Sequence, residues 1–96
     1  MLHLIFQSPI EIAILERIDS GDEVVFLENS VLRILQKGSL NDSLIQLLKQ
    51  SRLYVLVDDI EIRGIEADEL VNGIEVIDYP ELVSLTVKNP LIQSWS

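Results

Sequence analysis

Short apolar runs alternate with segments of helical period along this 96-residue chain. The runs are four or five residues long and rich in valine, isoleucine and leucine, which is typical of strands buried on both faces of a parallel sheet. They span residues 2–6, 24–27, 53–57 and 74–77. The alternation predicts a three-layer α/β/α fold with a mainly parallel sheet and right-handed crossovers. Four strands are predicted and a fifth short strand is left open. The strand order does not follow from the pattern.

Three helices are predicted between the first runs. Residues 9–19 follow Ser8 as N-cap and begin with Pro9, which suits the first helical position. Residues 30–37 form a second predicted helix that ends at Gly38. The third follows the capping-box spacing of residues 39–42 and repeats leucine at positions 40, 44, 47 and 48.

A last helix is predicted from the sequence Asp78-Tyr79-Pro80-Glu81, with proline early and glutamate in the favourable first turn. Residues 82, 85 and 87 are predicted to face inward, and residues 89–90 (Asn-Pro) to end the helix. The length and the balance of 48% apolar and 24% charged residues predict one globular domain over residues 1–96.

The charge balance argues against nucleic-acid binding. Seven scattered basic side chains oppose sixteen acidic ones, for a net charge of −9. Because nucleic-acid affinity depends largely on lysine and arginine neutralising phosphates, a protein or small-molecule partner is expected. No apolar run approaches the roughly 18 residues of a membrane span, and no targeting signal is visible, so a soluble protein is expected.

The chain contains no cysteine. Disulfides, thiolate metal sites and thiol catalysis by this chain are therefore excluded. The four glycines are isolated, so no phosphate-binding glycine loop is present. The serines that follow the first two strands lack a G-x-S-x-G elbow, and a hydrolase triad is unsupported. No cofactor is expected.

Adjacent aspartates, Asp58 and Asp59, follow the third run, where an open α/β sheet usually keeps its chemistry. The favoured interpretation is structural: one of them caps a short helix that runs through Ile60 and Ile62 and ends at Gly64. The alternative is a magnesium or phosphoacceptor site, as in receiver domains, built from Asp58, Asp59 and Asp78. That site also needs a lysine at a later strand end, and Lys88 is placed inside the last helix.

Two aromatic residues are further candidates. His3 is the only histidine and lies within the first apolar run, where a structural role is favoured. Trp95 is the only tryptophan and stands in a tail with Leu91 and Ile92. Either Trp95 covers its own core, or the three tail residues form a contact with a partner, which tryptophan often anchors.

Three stretches resemble the TusB/DsrH family. They are Leu2-His3 followed by Ser8-Pro9 and SGDEVVFLEN, then YVLVDDIEIRG with its Arg63-Gly64, and then IDYPELVSLTVKNP followed by Trp95. The last stretch is the most specific of the three. The similarity covers nearly the whole chain.

The resemblance implies a DsrE/DsrF/DsrH-like fold and a non-catalytic role in a bacterial sulfur relay. Members assemble with TusC-like and TusD-like subunits into a cytoplasmic heterohexamer. That complex accepts persulfide sulfur from TusA and passes it through TusE, for 2-thiolation of the wobble uridine of certain tRNAs. The carrier cysteine belongs to the TusD-like subunit, and the lack of cysteine in this chain favours the tRNA branch of the family.

Two rivals remain open at this point. One is a magnesium-dependent receiver-like or phosphatase-like domain that uses Asp58, Asp59 and Asp78. The other is a stand-alone homo-oligomeric binding module.

Overall fold

The computed structural model describes residues 1–6 and 12–95 of the chain. Within these residues the centre is a parallel sheet formed by β1 (Leu2–Ile5), β2 (Glu23–Phe26), β3 (Arg52–Leu56), β4 (Glu75–Ile77) and β5 (Ile92–Trp95). The strand order is β4-β3-β2-β1-β5. The first strand in the sequence therefore lies between the second and the last, with Leu2 opposite both Glu23 and Ile92.

Helical segments connect the strands. The α-helices are α1 (Ile12–Glu16), α2 (Asn41–Leu48), α3 (Val57–Glu61) and α4 (Tyr79–Lys88). Two 3₁₀ helices span Glu28–Arg33 and Ala67–Glu69.

The two faces of the sheet are covered unequally. The larger core lies on one face. There, residues from α1, α2 and α3, from the segment between β2 and α2, and from the segment between α3 and β4 pack against alternate side chains of the central strands. On the opposite face the smaller core receives helical side chains from α4 alone among the described residues, chiefly Leu85 and Leu82. From β1 to β2, β3 and β4 the chain moves across the sheet in one direction, and right-handed crossovers place these three connections on one face. The connection from β4 back to β5 runs in the opposite direction, so α4 lies on the other face. The predicted α/β/α class is confirmed.

The predicted strands are confirmed with small shifts. β2 begins one residue earlier than predicted, and Val57 belongs to α3 instead of β3. The fifth strand, which the sequence left open, is present as β5 in the tail. It lies at the edge of the sheet and pairs only with β1 among the described strands.

The predicted α-helix over residues 30–37 is wrong. The chain instead forms the 3₁₀ helix Glu28–Arg33, and Leu35 then makes an antiparallel bridge with Leu70. Val31 and Ile34 are fully buried three residues apart, a spacing that places both on the same side of a three-residue turn. Pairing with the segment around Leu70 therefore replaces the helical turn that local propensity favoured.

The first and third predicted helices need separate comment. Ser8, Pro9 and Ile10 lie outside the described residues, so the predicted start of the first helix is not tested; the described part is α1, followed by buried Ile18. The predicted capping box before α2 is wrong, because the N-cap is Leu40 and no side-chain capping bond is present there. The helix itself is confirmed.

The predicted start of α4 is confirmed. Asp78 is the N-cap, its Oδ1 accepts a hydrogen bond from the backbone N–H of Glu81 at 2.9 Å, and the Glu81 side chain accepts from the Asp78 N–H at 3.3 Å. The prediction that Val87 faces inward is wrong, because its side chain is 81% exposed. It lies two residues beyond buried Leu85, which is about 200° around the helix.

Replacing the capping side chain should destabilise the fold measurably. We expect Asp78→Ala to lower the free energy of unfolding by about 1 kcal/mol, whereas Asp78→Asn should cost only a few tenths, about 0.3 kcal/mol. Chemical denaturation measures both. Asp42→Ala is the matched control, since Asp42 lies in the first turn of α2 without a capping bond. Equal losses in Asp78→Ala and Asp42→Ala would contradict the role of the capping bond.

Candidate functional site

Asp58 and Asp59 occupy the first turn of α3, directly after β3. The N-cap is Leu56 and carries no side-chain capping bond, so the prediction that one of the aspartates is the cap is wrong. Both carboxylates still lie at the positive end of the helix dipole. Ile60 is buried, and Gly64 ends the turn with φ of +69°, a conformation that favours glycine.

The carboxylate of Asp59 joins α3 to the end of β2. Its Oδ2 accepts a hydrogen bond from the backbone N–H of Glu28 at 2.8 Å, and Oδ1 lies 3.7 Å from the Arg63 guanidinium. Arg63 also donates to the Asp59 backbone oxygen and to Asn29 Oδ1, each at 2.9 Å. Glu28 has φ of +50°, an uncommon value for a residue with a side chain. Asp59 therefore supports a strained turn.

The geometry does not assemble the alternative metal site. Asp78 is engaged as the cap of α4, and within residues 1–6 and 12–95 no three histidine, cysteine, aspartate or glutamate side chains are grouped to hold a metal ion. Lys88 contacts Glu23 at the opposite end of the strands from Asp58 and Asp59. A receiver-like mechanism has no support in this arrangement.

The two aspartates should differ in their effect on stability. We expect Asp59→Ala to lower the free energy of unfolding by about 1–2 kcal/mol, because the Glu28 N–H loses a charged acceptor at a partly exposed site. Asp58, whose side chain is exposed, should change it by less than about 0.5 kcal/mol when replaced by alanine.

Calorimetric titration with Mg²⁺ provides the second readout for both variants. No heat of site binding is expected in the wild-type chain. Mg²⁺ binding that disappears in Asp58→Ala would revive the metal site.

His3 is buried and contacts two partly exposed residues, Asp22 and Trp95. Its Nε2 lies 2.8 Å from Asp22 Oδ2, and its Nδ1 lies 3.2 Å from Trp95 Nε1. Because the indole N–H can only donate, Nδ1 of the neutral ring accepts and Nε2 carries the proton that is donated to Asp22. Both ring nitrogens are occupied, which is the pattern of a structural histidine and leaves neither free for proton transfer.

Trp95 is held on its own domain by further contacts. Its ring stacks with that of His3 at a centroid distance of 6.4 Å, and the Arg17 guanidinium lies 5.9 Å from the ring centroid. The side chain also packs against the larger core while remaining partly exposed. The pair His3 and Trp95 is separated by 92 residues, so no local sequence signal identifies this contact.

Asp22 is set up to favour its ionised form. Burial raises the pKa of Asp22, but hydrogen bonds from His3, from the Asp19 backbone N–H and from the Met1 amino group outweigh burial and hold it below its ordinary value of 3.8. A folded pKa below the unfolded one stabilises the fold at neutral pH. That stability is lost as the pH falls through the folded pKa.

Replacing Asp22 should flatten the acid limb of the stability curve. We expect Asp22→Asn to be less stable than the wild type at pH 7, and the difference to shrink as the pH falls below about 4. Urea denaturation between pH 2 and pH 7, as far as folding persists, measures both curves. Parallel curves would contradict the role assigned to the Asp22 carboxylate.

The sequence pattern did not identify one buried carboxylate, that of Glu23. Glu23, the first residue of β2, accepts hydrogen bonds from the Tyr54 hydroxyl at 2.8 Å and from Asn89 Nδ2 at 3.1 Å, and pairs with Lys88 Nζ at 3.3 Å. Burial raises the pKa of Glu23, but these three partners outweigh it and lower the pKa below the ordinary value. The cluster fastens the end of α4 to the sheet.

The tail residues predicted as an interface divide between the two sheet faces. Leu91 is 61% and Ile92 45% exposed. Strand alternation places Trp95 on the face of the larger core and Ile92 on the face of α4. The contact of Leu91, Ile92 and Trp95 with a partner stays a prediction. None of the helices described is long and apolar enough to cross a membrane.

The chain belongs to the DsrH family. The family model for DsrH-like proteins matches residues 6–91. The chain is 36% identical over 98 residues to Protein TusB of Pectobacterium parmentieri, and 34% identical over 99 residues to Protein TusB of Buchnera aphidicola. Protein TusB of Escherichia coli is 32% identical over 98 residues. Each of these comparisons covers 99% of this chain and 100% of the relative. The predicted family resemblance is confirmed.

Solved structures share the fold at low sequence identity. A protein of unknown function from Methanobacterium thermoautotrophicum superposes with a TM-score of 0.78 at 14% identity, covering 98% of this chain and 96% of that one. The ychN protein from E. coli has a TM-score of 0.74 at 14% identity, with coverage of 98% and 97%. At this identity the likeness concerns the fold alone.

Proposed function

We propose that this chain is a non-catalytic subunit of a TusBCD-type sulfur-relay complex. The observation that carries the proposal is the full-length similarity to proteins named TusB in a chain without cysteine. A persulfide is carried on a cysteine sulfur, and the thiolate is the nucleophile in its transfer. A chain with no thiol cannot hold the sulfur itself, so its contribution lies in assembly and shaping of the complex.

The proposed partners are TusC-like and TusD-like subunits in a cytoplasmic heterohexamer. The TusD-like subunit would carry the reactive cysteine, with TusA as donor and TusE as acceptor. The product of the relay would be the 2-thio group of the wobble uridine in certain tRNAs. The net charge of −9 supports an indirect relation to tRNA, because sixteen acidic side chains repel a phosphate backbone.

The tail is the part of the subunit contact that the sequence predicted. Leu91 and Ile92 are large apolar side chains that remain exposed, and among the described strands β5 has no neighbour on its outer side. Exposed apolar groups on a strand edge favour pairing with another chain. We include Leu91, Ile92 and the exposed part of Trp95 in the proposed interface.

Co-purification tests the assignment. Co-expressed with the TusC-like and TusD-like subunits of the same organism, the tagged chain should elute with both in one complex, measured by size exclusion with light scattering. Deletion of its gene should remove 2-thiouridine from the wobble position, measured by mass spectrometry of digested tRNA. A chain that stays monomeric beside these subunits would contradict the proposal.

The same co-purification assay tests whether the tail contributes to the subunit contact. Leu91→Asp should leave the stability of the free chain within about 0.5 kcal/mol, because the side chain is exposed, and should reduce co-purification. Asp68→Ala, on an exposed 3₁₀ helix, is the control. Normal co-purification of Leu91→Asp would remove the tail from the interface and leave the subunit assignment standing.

A further inference from the structure

An apolar groove runs between α4 and the carboxyl ends of the central strands. It has a volume of about 450 Å³, is open to solvent, and is called the α4 groove below. Its floor includes Leu4, Phe6 and Leu56, its wall includes Tyr79 and Val83, and Glu28 stands at its rim. Its lining includes none of the tail residues 91–95.

The groove exists because one helix covers a five-stranded face. Leu4 and Phe6 remain only partly buried beside α4, although both belong to the smaller core. On α4 itself Tyr79, Val83 and Val87 recur every four residues and are 62%, 45% and 81% exposed. Residues at this spacing form one stripe along a helix. An apolar stripe beside an apolar groove is typical of a protein-binding surface.

The charges around the groove select the kind of partner. The charged side chains among its described lining residues are Glu28 and Asp59, both acidic. Asp59 is already bonded to the Glu28 N–H, whereas none of the ion pairs among the described residues includes the Glu28 carboxylate. A second copy of this chain would bring another net charge of −9 to the same place, which disfavours self-association.

The backbone conformation of Glu28 also supports a functional role for the rim of the groove. Glu28 is the one non-glycine residue with positive φ in the part of the chain described, and strain of this kind often accompanies function. The strained turn holds an exposed carboxylate at the mouth of an apolar groove. Ile92 lies on the same face of the sheet, so the groove and part of the proposed tail contact are open to one partner.

We propose that the α4 groove is the docking site for another protein subunit, which inserts an apolar side chain against Val83 and Phe6 and places a lysine or arginine beside Glu28. The assignment rests on the proposed function, since the occupant is a TusC-like or TusD-like subunit. An apolar centre with an acidic rim gives affinity at the centre and selects a basic partner at the rim.

A matched pair of variants tests the apolar centre. Val83 and Leu32 are 45% and 46% exposed, and Leu32 lies outside the groove on the 3₁₀ helix Glu28–Arg33. The dissociation constant for the co-purified TusC-like and TusD-like subunits should rise by about thirtyfold or more in Val83→Asp, as for loss of a hot-spot contact. It should stay unchanged in Leu32→Asp. Circular dichroism and urea denaturation confirm that both variants are folded.

A second pair tests the acidic rim. Glu28→Lys should weaken the association by about fivefold or more and reduce its dependence on salt, because a basic rim then meets a basic partner. Glu16→Lys makes the same change of charge at an exposed position of α1, outside the groove, and should have little effect. An equal loss in both variants would show only an effect of net charge and would overturn the rim contact.

The outcomes separate this assignment from the proposed function. Wild-type association with unchanged affinity in Val83→Asp overturns the groove as docking site and leaves the subunit role intact. Failure of the wild-type chain to bind these subunits overturns the proposed function and the assignment with it. A homodimer of the wild-type chain that Val83→Asp dissociates, measured by light scattering, overturns the choice of occupant.

Discussion

The handedness of the crossovers governs the rest of this structure. A parallel sheet that grows from β1 through β2 and β3 to β4 puts each connection on the same face, since parallel crossovers are right-handed. The chain returns once, from β4 to β5 beside β1, and that step carries α4 to the other face. Two connected features follow: one face has a deep core, and the other has a ten-residue helix flanked by open apolar surface.

The acidic side chains that form hydrogen bonds in this structure stabilise the fold. Asp22 holds His3 and thereby Trp95, Glu23 fastens the end of α4, and Asp59 supports the turn at Glu28. Asp78 begins α4. Each of these carboxylates accepts hydrogen bonds from backbone or side-chain donors, and such bonds are strong because the acceptor is charged. Of the two adjacent aspartates, Asp59 therefore has a structural role, and Asp58 is exposed in the first turn of α3.

Local patterns predicted those parts of the fold that local forces determine. The four apolar runs became strands, and Asp78-Tyr79-Pro80-Glu81 began a helix as its capping chemistry requires. The 3₁₀ helix at Glu28–Arg33 was missed because the bridge between Leu35 and Leu70 depends on a residue 35 positions away. The contact of His3 with Trp95 and the ties of Glu23 to Asn89 are also long-range, so periodicity and propensity carry no trace of them. The α4 groove depends on strand order, which the sequence pattern left undetermined.

The proposed subunit role depends on the surfaces of the chain, and the fold indicates which surface is free for a partner. The face under α1, α2 and α3 is filled by the chain's own side chains. The α4 face keeps Leu4 and Phe6 partly exposed, adds the stripe from Tyr79 to Val87, and continues to Ile92 on the edge strand. Leaving large apolar side chains in water costs about 1.5–3 kcal/mol each compared with full burial. The same crossover rule that completes the fold thus leaves this face with apolar area to bury, which is the physical reason to look for the partner there.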